Sequence, residues 1–364
     1  MPPSSPSPRP TLLPGLSRLW RDRHTLQLGL DQDRAVLVEI ADPRAAELLD
    51  LLDGRHSERQ VVTGTKSRTE HAHTLLDALR AAGLVVPMHT LLPRELTGPR
   101  RARLATEAAA LALTAARLPG TPAQVLRRRL ASRVMVTGSG PLGAAIAVAL
   151  AQAGVGHVHP DLPGVVRPID LVGTGIAAAE IGRPLGRAVR AAVTRSAPGT
   201  GTGPQRRPRP DLVIQLGTDR PAALLAAGHT QRRRPHLLVD LREAVPVIGP
   251  LVRPPDGPCL GCLDLHRTDR DPDWPALAAQ LASRPATPSG TVGSLLAATA
   301  FAVSEALLHL DGGTPETLGA AVELTSPGNL RRRQWPPHPR CGCWRARTPG
   351  SQPGRTAAAG VPSQ

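Results

Sequence analysis

The sequence predicts an α/β protein: a doubly wound, mostly parallel sheet, a C-terminal segment clamped to it by zinc, and a small winged-helix-like α+β domain in front. Three observations predict this fold. An apolar strand, a glycine turn, a helix and a second strand follow one another through residues 132–158. Strands then alternate with helices to about residue 325, the pattern of a parallel sheet covered on both faces. All four cysteines stand as two close pairs.

The composition fits a protein of two or three domains with an aliphatic core. Of the 364 residues, 41% are hydrophobic, yet tyrosine is absent and Phe301 is the single phenylalanine. The net charge is +15, and almost all positively charged side chains are arginines. The codon usage of a GC-rich genome explains this preference for arginine over lysine. The arginine runs are scattered between elements and stacking aromatics are missing, so we expect no specific nucleic-acid binding.

The sequence also bears on the compartment. The N-terminus, MPPSSPSPRP, lacks the apolar region of a secretory signal, and no stretch reaches 18 consecutive apolar residues. We therefore expect a cytoplasmic protein without a membrane partner. In a reducing compartment, paired cysteines indicate a metal site before they indicate disulfides.

Changes in composition and periodicity divide the chain into five parts. The first and last are low in complexity and are predicted to be disordered. The parts are residues 1–14 (disordered), 16–88 (the winged-helix-like domain), 89–131 (a helical linker), 132–345 (the sheet domain with the cysteines) and 346–364 (a disordered tail).

The 16–88 unit carries the signals of a hairpin and two helices. The segments TLQLGL and AVLVEI predict the hairpin. A first helix is predicted from Pro43, with Asp42 as its N-cap, and ends at Gly54. A second helix is predicted over about residues 69–82, with Gly83 as its C-cap. A hairpin followed by helices in a unit of this size resembles a winged-helix fold.

The glycine turn is formed by Gly138, Gly140 and Gly143. It follows an apolar strand and opens a helix, the context in which such a turn binds phosphate in Rossmann-like domains. The first glycine allows the tight turn, the second lets backbone N–H groups approach a phosphate, and the third lets helix and strand pack closely. Asp161 lies about where a ribose-binding acid would follow the second strand. A turn kept for packing alone, with no ligand, stays open as the alternative.

The cysteine pairs, Cys259/Cys262 and Cys341/Cys343, predict a structural zinc ion. Two thiolates from one short turn can reach the same tetrahedral ion, and two such pairs close the coordination sphere. A thioredoxin-type redox couple is the rival interpretation of a CxxC. His266 and His338 are near enough in sequence to replace one thiolate, although an ordinary surface histidine is the simpler expectation for each.

These motifs together resemble a known superfamily. The stretch SRVMVTGSGPLGAAIAVALAQAGVGHV, the later IGPLVRPPDGPCLGCLDLHRTDRDPDWP and the final HPRCGC are similar to ThiF/MoeB/HesA proteins, the bacterial relatives of ubiquitin-activating enzymes. The resemblance covers about residues 130–345. It is nearest to actinobacterial ThiF-like proteins of the cyclodehydratase-partner type.

The resemblance implies cofactors and partners. Members that adenylylate bind ATP with Mg at the glycine turn and activate the C-terminal carboxylate of a small protein, so Gly138, Gly140 and Gly143 would face the phosphates and Asp219 the magnesium. The cyclodehydratase partners carry an N-terminal peptide-recognition unit, which residues 16–88 would supply. The implied partners are a precursor peptide or small carrier protein, a cyclodehydratase-type enzyme and a second copy of the chain as a homodimer.

Two departures from the family pattern bear on activity. The Asn-Leu-x-Arg-Gln stretch after the second strand is missing, because the chain here reads VVRPIDLVGTG. The lysine of the family's Gly-basic-Pro-Lys element is replaced by Leu185, although Arg183 or Arg187 could compensate. We therefore predict a degenerate member that acts as a peptide-recognition scaffold, with an active adenylyltransferase as the alternative. A nicotinamide or flavin oxidoreductase ranks last.

Overall fold

The computed structural model describes most of the chain. The described residues are 9–31, 33–114, 118–204, 209–217, 228–229, 233–254, 256–283, 289–326 and 328–343. The predicted tail at 346–364 and the predicted magnesium ligand Asp219 lie outside these ranges.

The N-terminal unit combines two small antiparallel sheets with short helices. Its elements are β1 (Pro10–Leu12), β2 (Arg18–Trp20), β3 (Thr25–Leu28), β4 (Val36–Glu39), a 3₁₀ turn at Pro43–Glu47, α1 (Leu48–Leu51), α2 (Glu58–Thr63), α3 (Thr69–Ala81) and β5 (Val85–Pro87). Strands β2, β3 and β4 form one sheet in that order, and β1 pairs with β5. The expected hairpin is β3–β4, and the expected second helix is α3.

Residues 10–12, which we expected within the disordered N-terminus, form strand β1. The composition of residues 1–14 favoured disorder, but the backbone of these three residues pairs in register with residues 85–87. Leu12 is buried in the core of the unit, only 5% exposed. A long-range partner thus gives order to a segment whose local composition predicts none.

The predicted linker is a helical layer with its own core. It contains α4 (Met88–Leu91), α5 (Gly98–Thr114) and α6 (Pro122–Ala131). Thr121 starts α6 with a capping box to Gln124, and Pro122 occupies the first turn, both strong helix-starting signals. The helices enclose a small apolar cluster of Leu92, Leu96, Leu104, Ala108, Leu111, Val125 and Leu126.

The main sheet has seven strands in the order β12-β11-β10-β9-β8-β6-β7. They are β6 (Arg133–Gly138), β7 (His157–Asp161), β8 (Leu212–Leu216), β9 (His236–Arg242), β10 (Val245–Val252), β11 (Ala320–Ser326) and β12 (Asn329–Gln334). Strands β7, β6, β8 and β9 are parallel neighbours, whereas β10, β11 and β12 join through antiparallel pairs. Since only β10 and β12 run opposite to the others, the prediction of a mostly parallel α/β sheet is confirmed.

Helices cover both faces of this sheet. They are α7 (Gly143–Gln152), α8 (Leu185–Ser196), α9 (Leu260–Arg270), α10 (Trp274–Ser283) and α11 (Val292–Leu310). Leu237 and Val239 of β9 point into the main core with α7, α8 and α11, while Leu238 between them packs against the cysteines. Successive strand residues alternate between faces, so β9 separates the main core from the cysteine layer.

Helix α11 is long and apolar enough to cross a membrane by length and composition alone. It packs against β10 and α7, and Ala298, Ala302 and Ala306 are fully buried there. Its apolar composition is explained by its position as a core helix of the sheet domain.

Candidate functional site

The glycine turn joins the end of β6 to the start of α7. Gly138 has a φ of +97°, and a Cβ on it would run into the carbonyl oxygen of Leu216. A Cβ on Gly143 would run into the side chains of Leu216 and Leu162. Packing and backbone conformation therefore require glycine at both positions, with or without a ligand.

Gly140 is different. A Cβ there would meet only the Leu216 Cβ at 3.7 Å, an ordinary van der Waals distance, and its φ is not in the left-handed region. Neither fold nor backbone explains a glycine at this position. A glycine at this position would leave the backbone open to close approach by a ligand.

Asp161 lies beside this turn. It ends β7 opposite Thr137 in the parallel register with β6, and it accepts a hydrogen bond from the Thr137 hydroxyl at 3.1 Å. Gly186, at the start of α8, packs against the carbonyl oxygens of Pro160 and Leu162. The end of β7 therefore lies against both the glycine turn and the start of α8.

The arginines near the glycine turn differ in whether they are already paired. The segment after β7 carries Arg167, but Asp170 engages its Nε and Nη2 at 3.0 Å each. Leu185, where the resemblance predicts a lysine, is 5% exposed and belongs to the main core. Arg183 and Arg187 are exposed, and Arg190 lies beside Gly186. The guanidinium groups of these three arginines form no ion pair in the described part of the chain.

The four cysteines meet on the other face of the sheet. Cys259 caps α9 and Cys262 lies in its first turn, while Cys341 and Cys343 follow β12. The sulfur of Cys259 is 3.5 Å from that of Cys341, and that of Cys262 is 3.4 Å from that of Cys343. All four sulfurs lie within 4.8 Å of one another. The structure thus brings together the two pairs that the sequence singled out.

This cluster fits a tetrahedral metal ion. Four sulfurs at about 2.3 Å from a zinc ion would lie about 3.8 Å from one another, close to the observed separations. The set could therefore hold zinc with four thiolates and without rearranging the backbone. Such a sphere leaves no position for water, which suits a structural ion better than a catalytic one.

The cysteines of the cluster shift one another's pKa values. A hydrogen bond from the Cys259 thiol lowers the pKa of Cys262, and the same contact raises the pKa of Cys259. Burial raises the pKa of Cys343. A bound divalent ion would deprotonate its thiol ligands.

His338 is not the ordinary surface histidine that we expected. It is 2% exposed, its Nδ1 accepts a hydrogen bond from the backbone N–H of Arg340 at 3.1 Å, and its Nε2 lies 2.8 Å from Asp269. His266 packs edge-on against it and bonds to the carbonyl of Pro336. Neither ring belongs to the sulfur cluster. Both instead brace the segment that delivers Cys341 and Cys343.

A third feature is the three-stranded sheet of the N-terminal unit. Leu19, Gln27 and Leu37 form one cross-strand row, and the two leucines are 43% and 52% exposed. Trp20 on β2 is 48% exposed. Neither β2 nor β4 has a second strand neighbour within the described ranges. Sequence reasoning missed these residues, although a tryptophan in a short strand next to the domain start was an available signal.

No family model and no curated protein sequence matches the chain. Solved structures do match. E. coli MccB with succinimide has a TM-score of 0.64 at 12% identity, covering 93% of this chain and 99% of that one. The chain has the fold of MccB. At this identity the match shows the fold alone, and at this coverage it extends over the N-terminal unit as well as the sheet.

Other structures of MccB match equally well. The microcin C7 biosynthetic enzyme MccB in complex with N-formylated MccA has a TM-score of 0.62 at 12% identity, covering 92% of this chain and 99% of that one. MccB with ATP also gives 0.62, at 13% identity. A heterocyclase in complex with substrate and cofactor gives 0.58 at 15% identity, covering 91% of this chain and 39% of that one.

Proposed function

We propose that this protein is a degenerate ThiF-like scaffold that recognises a precursor peptide for a modifying enzyme of ribosomally made peptides. The N-terminal unit binds the peptide, and the sheet domain presents it to a cyclodehydratase-type partner. The four thiolates hold a structural zinc ion that fastens the C-terminal segment to the sheet. We place the protein in the cytoplasm and expect a homodimer, as the family resemblance implies.

The observation that carries the proposal is the open three-stranded sheet. An extended peptide can add to a free strand edge through main-chain hydrogen bonds, while pockets and apolar side chains give specificity. Here both edges are free in the described residues, and both are flanked by exposed apolar side chains at Leu19, Trp20 and Leu37. An unprotected apolar edge invites aggregation unless a partner covers it. MccB has been solved with MccA, which supports a peptide partner for a chain of this fold.

The surroundings of the glycine turn support the scaffold over the enzyme. Phosphoryl chemistry needs positioned cations to stabilise the charge that develops on the phosphates. Arg167 is paired with Asp170, and Leu185 is turned into the core. Arg183, Arg187 and Arg190 have no carboxylate partner in the described residues that would fix their guanidinium groups in position.

An active ATP-dependent adenylyltransferase is the second candidate. Gly140 favours it, because the fold does not require a glycine there, and MccB has been solved with ATP. In that case Gly138, Gly140 and Gly143 would lie against the phosphates, Asp161 near the ribose and Asp219 near magnesium. This chain's own contribution would be the turn's backbone N–H groups, Arg183 and the Arg187 side chain of α8.

Peptide binding tests the proposal. The full-length protein is titrated with fluorescently labelled precursor peptides encoded beside its gene. We expect a dissociation constant in the micromolar range or tighter, and at least tenfold weaker binding for Leu37→Glu or Leu19→Glu; the sensitive leucine identifies the edge that is used. Leu281→Glu is the matched control, because Leu281 on α10 is 59% exposed and far from β2–β4 in sequence. Binding that both edge variants retain would sink the proposal.

Pyrophosphate exchange separates the two candidates. The zinc-loaded protein is incubated with ATP, magnesium, labelled pyrophosphate and the same peptides. Exchange above background would establish the adenylyltransferase and refute the degenerate site. Tight peptide binding without exchange supports the scaffold.

A further inference from the structure

A cluster of arginines surrounds a cavity between α9 and the antiparallel end of the sheet. The cavity has a volume of about 160 Å³. Its charged lining consists of Arg242 from β9, Arg267 and Arg270 from α9, Arg333 from β12 and Glu323 from β11. None of these residues belongs to the glycine turn, the cysteine cluster or the β2–β4 sheet.

Two of the four arginines already have carboxylate partners. Arg333 lies 2.8 Å from Glu323, and Arg242 lies 2.9 Å from Asp240. Arg267 and Arg270 form no ion pair or hydrogen bond with any residue in the described ranges. Arg267 and Arg270 are therefore the two arginines of the lining that have no carboxylate partner in the described residues.

Arg267 is held in place by packing rather than by a carboxylate. Its guanidinium lies 4.8 Å from the centre of the Trp274 ring, and the indole N–H of Trp274 donates to Asp264 at 2.6 Å. Burial, together with the nearby Arg242 charge, lowers the pKa of Arg267 to about 10, although the charges of Asp264 and Asp240 act in the opposite direction. The group stays charged at neutral pH, but its charge is poorly solvated. An anion in the cavity would relieve that cost.

The size of the cavity limits the ligand. At about 30 Å³ per water molecule it holds roughly five waters, enough for one phosphoryl group but not for a nucleotide. Guanidinium groups present their N–H donors as a planar fork that matches phosphate oxygens two at a time. Two guanidinium groups without a carboxylate partner offer more N–H donors than a single carboxylate can accept. They suit a tetrahedral anion with two negative charges.

We propose that this cavity binds a phosphate-type oxyanion, with Arg267 and Arg270 as the direct ligands. Arg242 and Arg333 stay on their carboxylates, which neutralise them, so the net positive charge of the lining comes from Arg267 and Arg270. The site goes beyond the proposed peptide recognition and does not depend on it. The phosphoryl group is either free inorganic phosphate or one carried on a larger molecule.

Calorimetry on the metal-loaded full-length protein tests this site. Inorganic phosphate is titrated at constant ionic strength set with chloride. We expect saturable binding in the wild type and at least tenfold weaker binding in Arg270→Gln, an exposed position that the fold tolerates, and in Arg267→Gln. Arg59→Gln, which removes the same charge from exposed α2, leaves the affinity unchanged. Phosphoserine that binds as tightly as phosphate identifies a carried phosphoryl group; binding of phosphate alone identifies the free ion.

Several outcomes would overturn the proposal. One is the absence of saturation in the wild type. Another is phosphate affinity that survives both arginine substitutions, because the anion would then sit elsewhere, for example at the glycine turn. A third is acetate binding as tight as that of phosphate, which would show that no dianion is selected.

Discussion

Arg129 and Asp311 form a buried, doubly hydrogen-bonded ion pair across 182 positions of the chain. The Nε of Arg129 lies 2.9 Å from one carboxylate oxygen and its Nη2 lies 2.7 Å from the other. The two side chains are 4% and 1% exposed. Arg129 also contacts Glu107 and the carbonyl of Ala153. The pair joins the last turn of α6 to the C-terminus of α11 and so fastens the helical layer to the sheet domain.

Removing one partner of this pair should be costly. Asp311→Ala leaves the Arg129 guanidinium buried with only Glu107 as a counter-charge, and breaking a buried pair in this way costs about 3–5 kcal/mol of unfolding free energy. The double variant Arg129→Met/Asp311→Ala should recover part of that loss, because no buried charge remains unpaired. Urea denaturation measures both. A loss below about 1 kcal/mol for Asp311→Ala would contradict the role assigned to the pair.

The sequence predicts the elements that short-range patterns determine, but not the contacts between residues far apart in the chain. The glycine turn, helix α3 and its Gly83 cap, and the β3–β4 hairpin follow from short-range spacing and capping. The meeting of the four cysteines could be inferred because two close cysteine pairs have the spacing of a shared metal site. The Arg129–Asp311 pair, strand β1 and the arginine cavity could not, since each depends on residues that only the folded chain brings together. Leu185 shows the same limit: the sequence gives its identity, but only the structure shows that it faces the core.

Alanine substitutions in the glycine turn separate packing from ligand binding. Gly140→Ala should leave the unfolding free energy within about 0.5 kcal/mol of the wild type, because its Cβ meets nothing closer than 3.7 Å. Gly143→Ala should cost about 1–3 kcal/mol, since its Cβ overpacks the core against Leu216 and Leu162. Chemical denaturation checks both values. A destabilised Gly140→Ala would mean that the turn needs glycine there for the fold, which removes the structural reason for expecting a ligand.

The cysteine cluster should carry one zinc ion per chain. Mass spectrometry of the purified, reduced protein should find stoichiometric zinc, and Cys262→Ala or Cys341→Ala should lose it. His73→Gln is the control and should retain it, because His73 is exposed on α3 of the N-terminal unit and not among the cluster residues. Chelation should lower the melting temperature of the wild type, since the ion's binding energy contributes to folding. Wild-type protein that is well folded without any metal would contradict a structural zinc ion at the four cysteines.

Buried His236 should make the protein less stable in mild acid. The ring is 1% exposed, donates from Nδ1 to the carbonyl of Arg234 at 2.9 Å and stacks on His229 with centroids 4.3 Å apart. Burial, with a further contribution from the His229 charge, lowers the pKa of His236 to about 4. The folded state therefore keeps this ring neutral under conditions in which the unfolded chain, with a histidine pKa near 6.5, takes up a proton.

The sign of the effect follows from that difference. As the pH falls from 6.5 toward 4, the unfolded chain takes up a proton that the folded state excludes. The unfolding free energy therefore falls over this range, by up to about 1.4 kcal/mol per pH unit and about 3 kcal/mol in all. His236→Gln removes the titrating group, so the unfolding free energy of this variant should fall less steeply between pH 6.5 and 4. His73→Gln, at an exposed position on α3, should keep the wild-type slope. Denaturation curves measured across this window would contradict the assignment if the wild type and His236→Gln ran parallel.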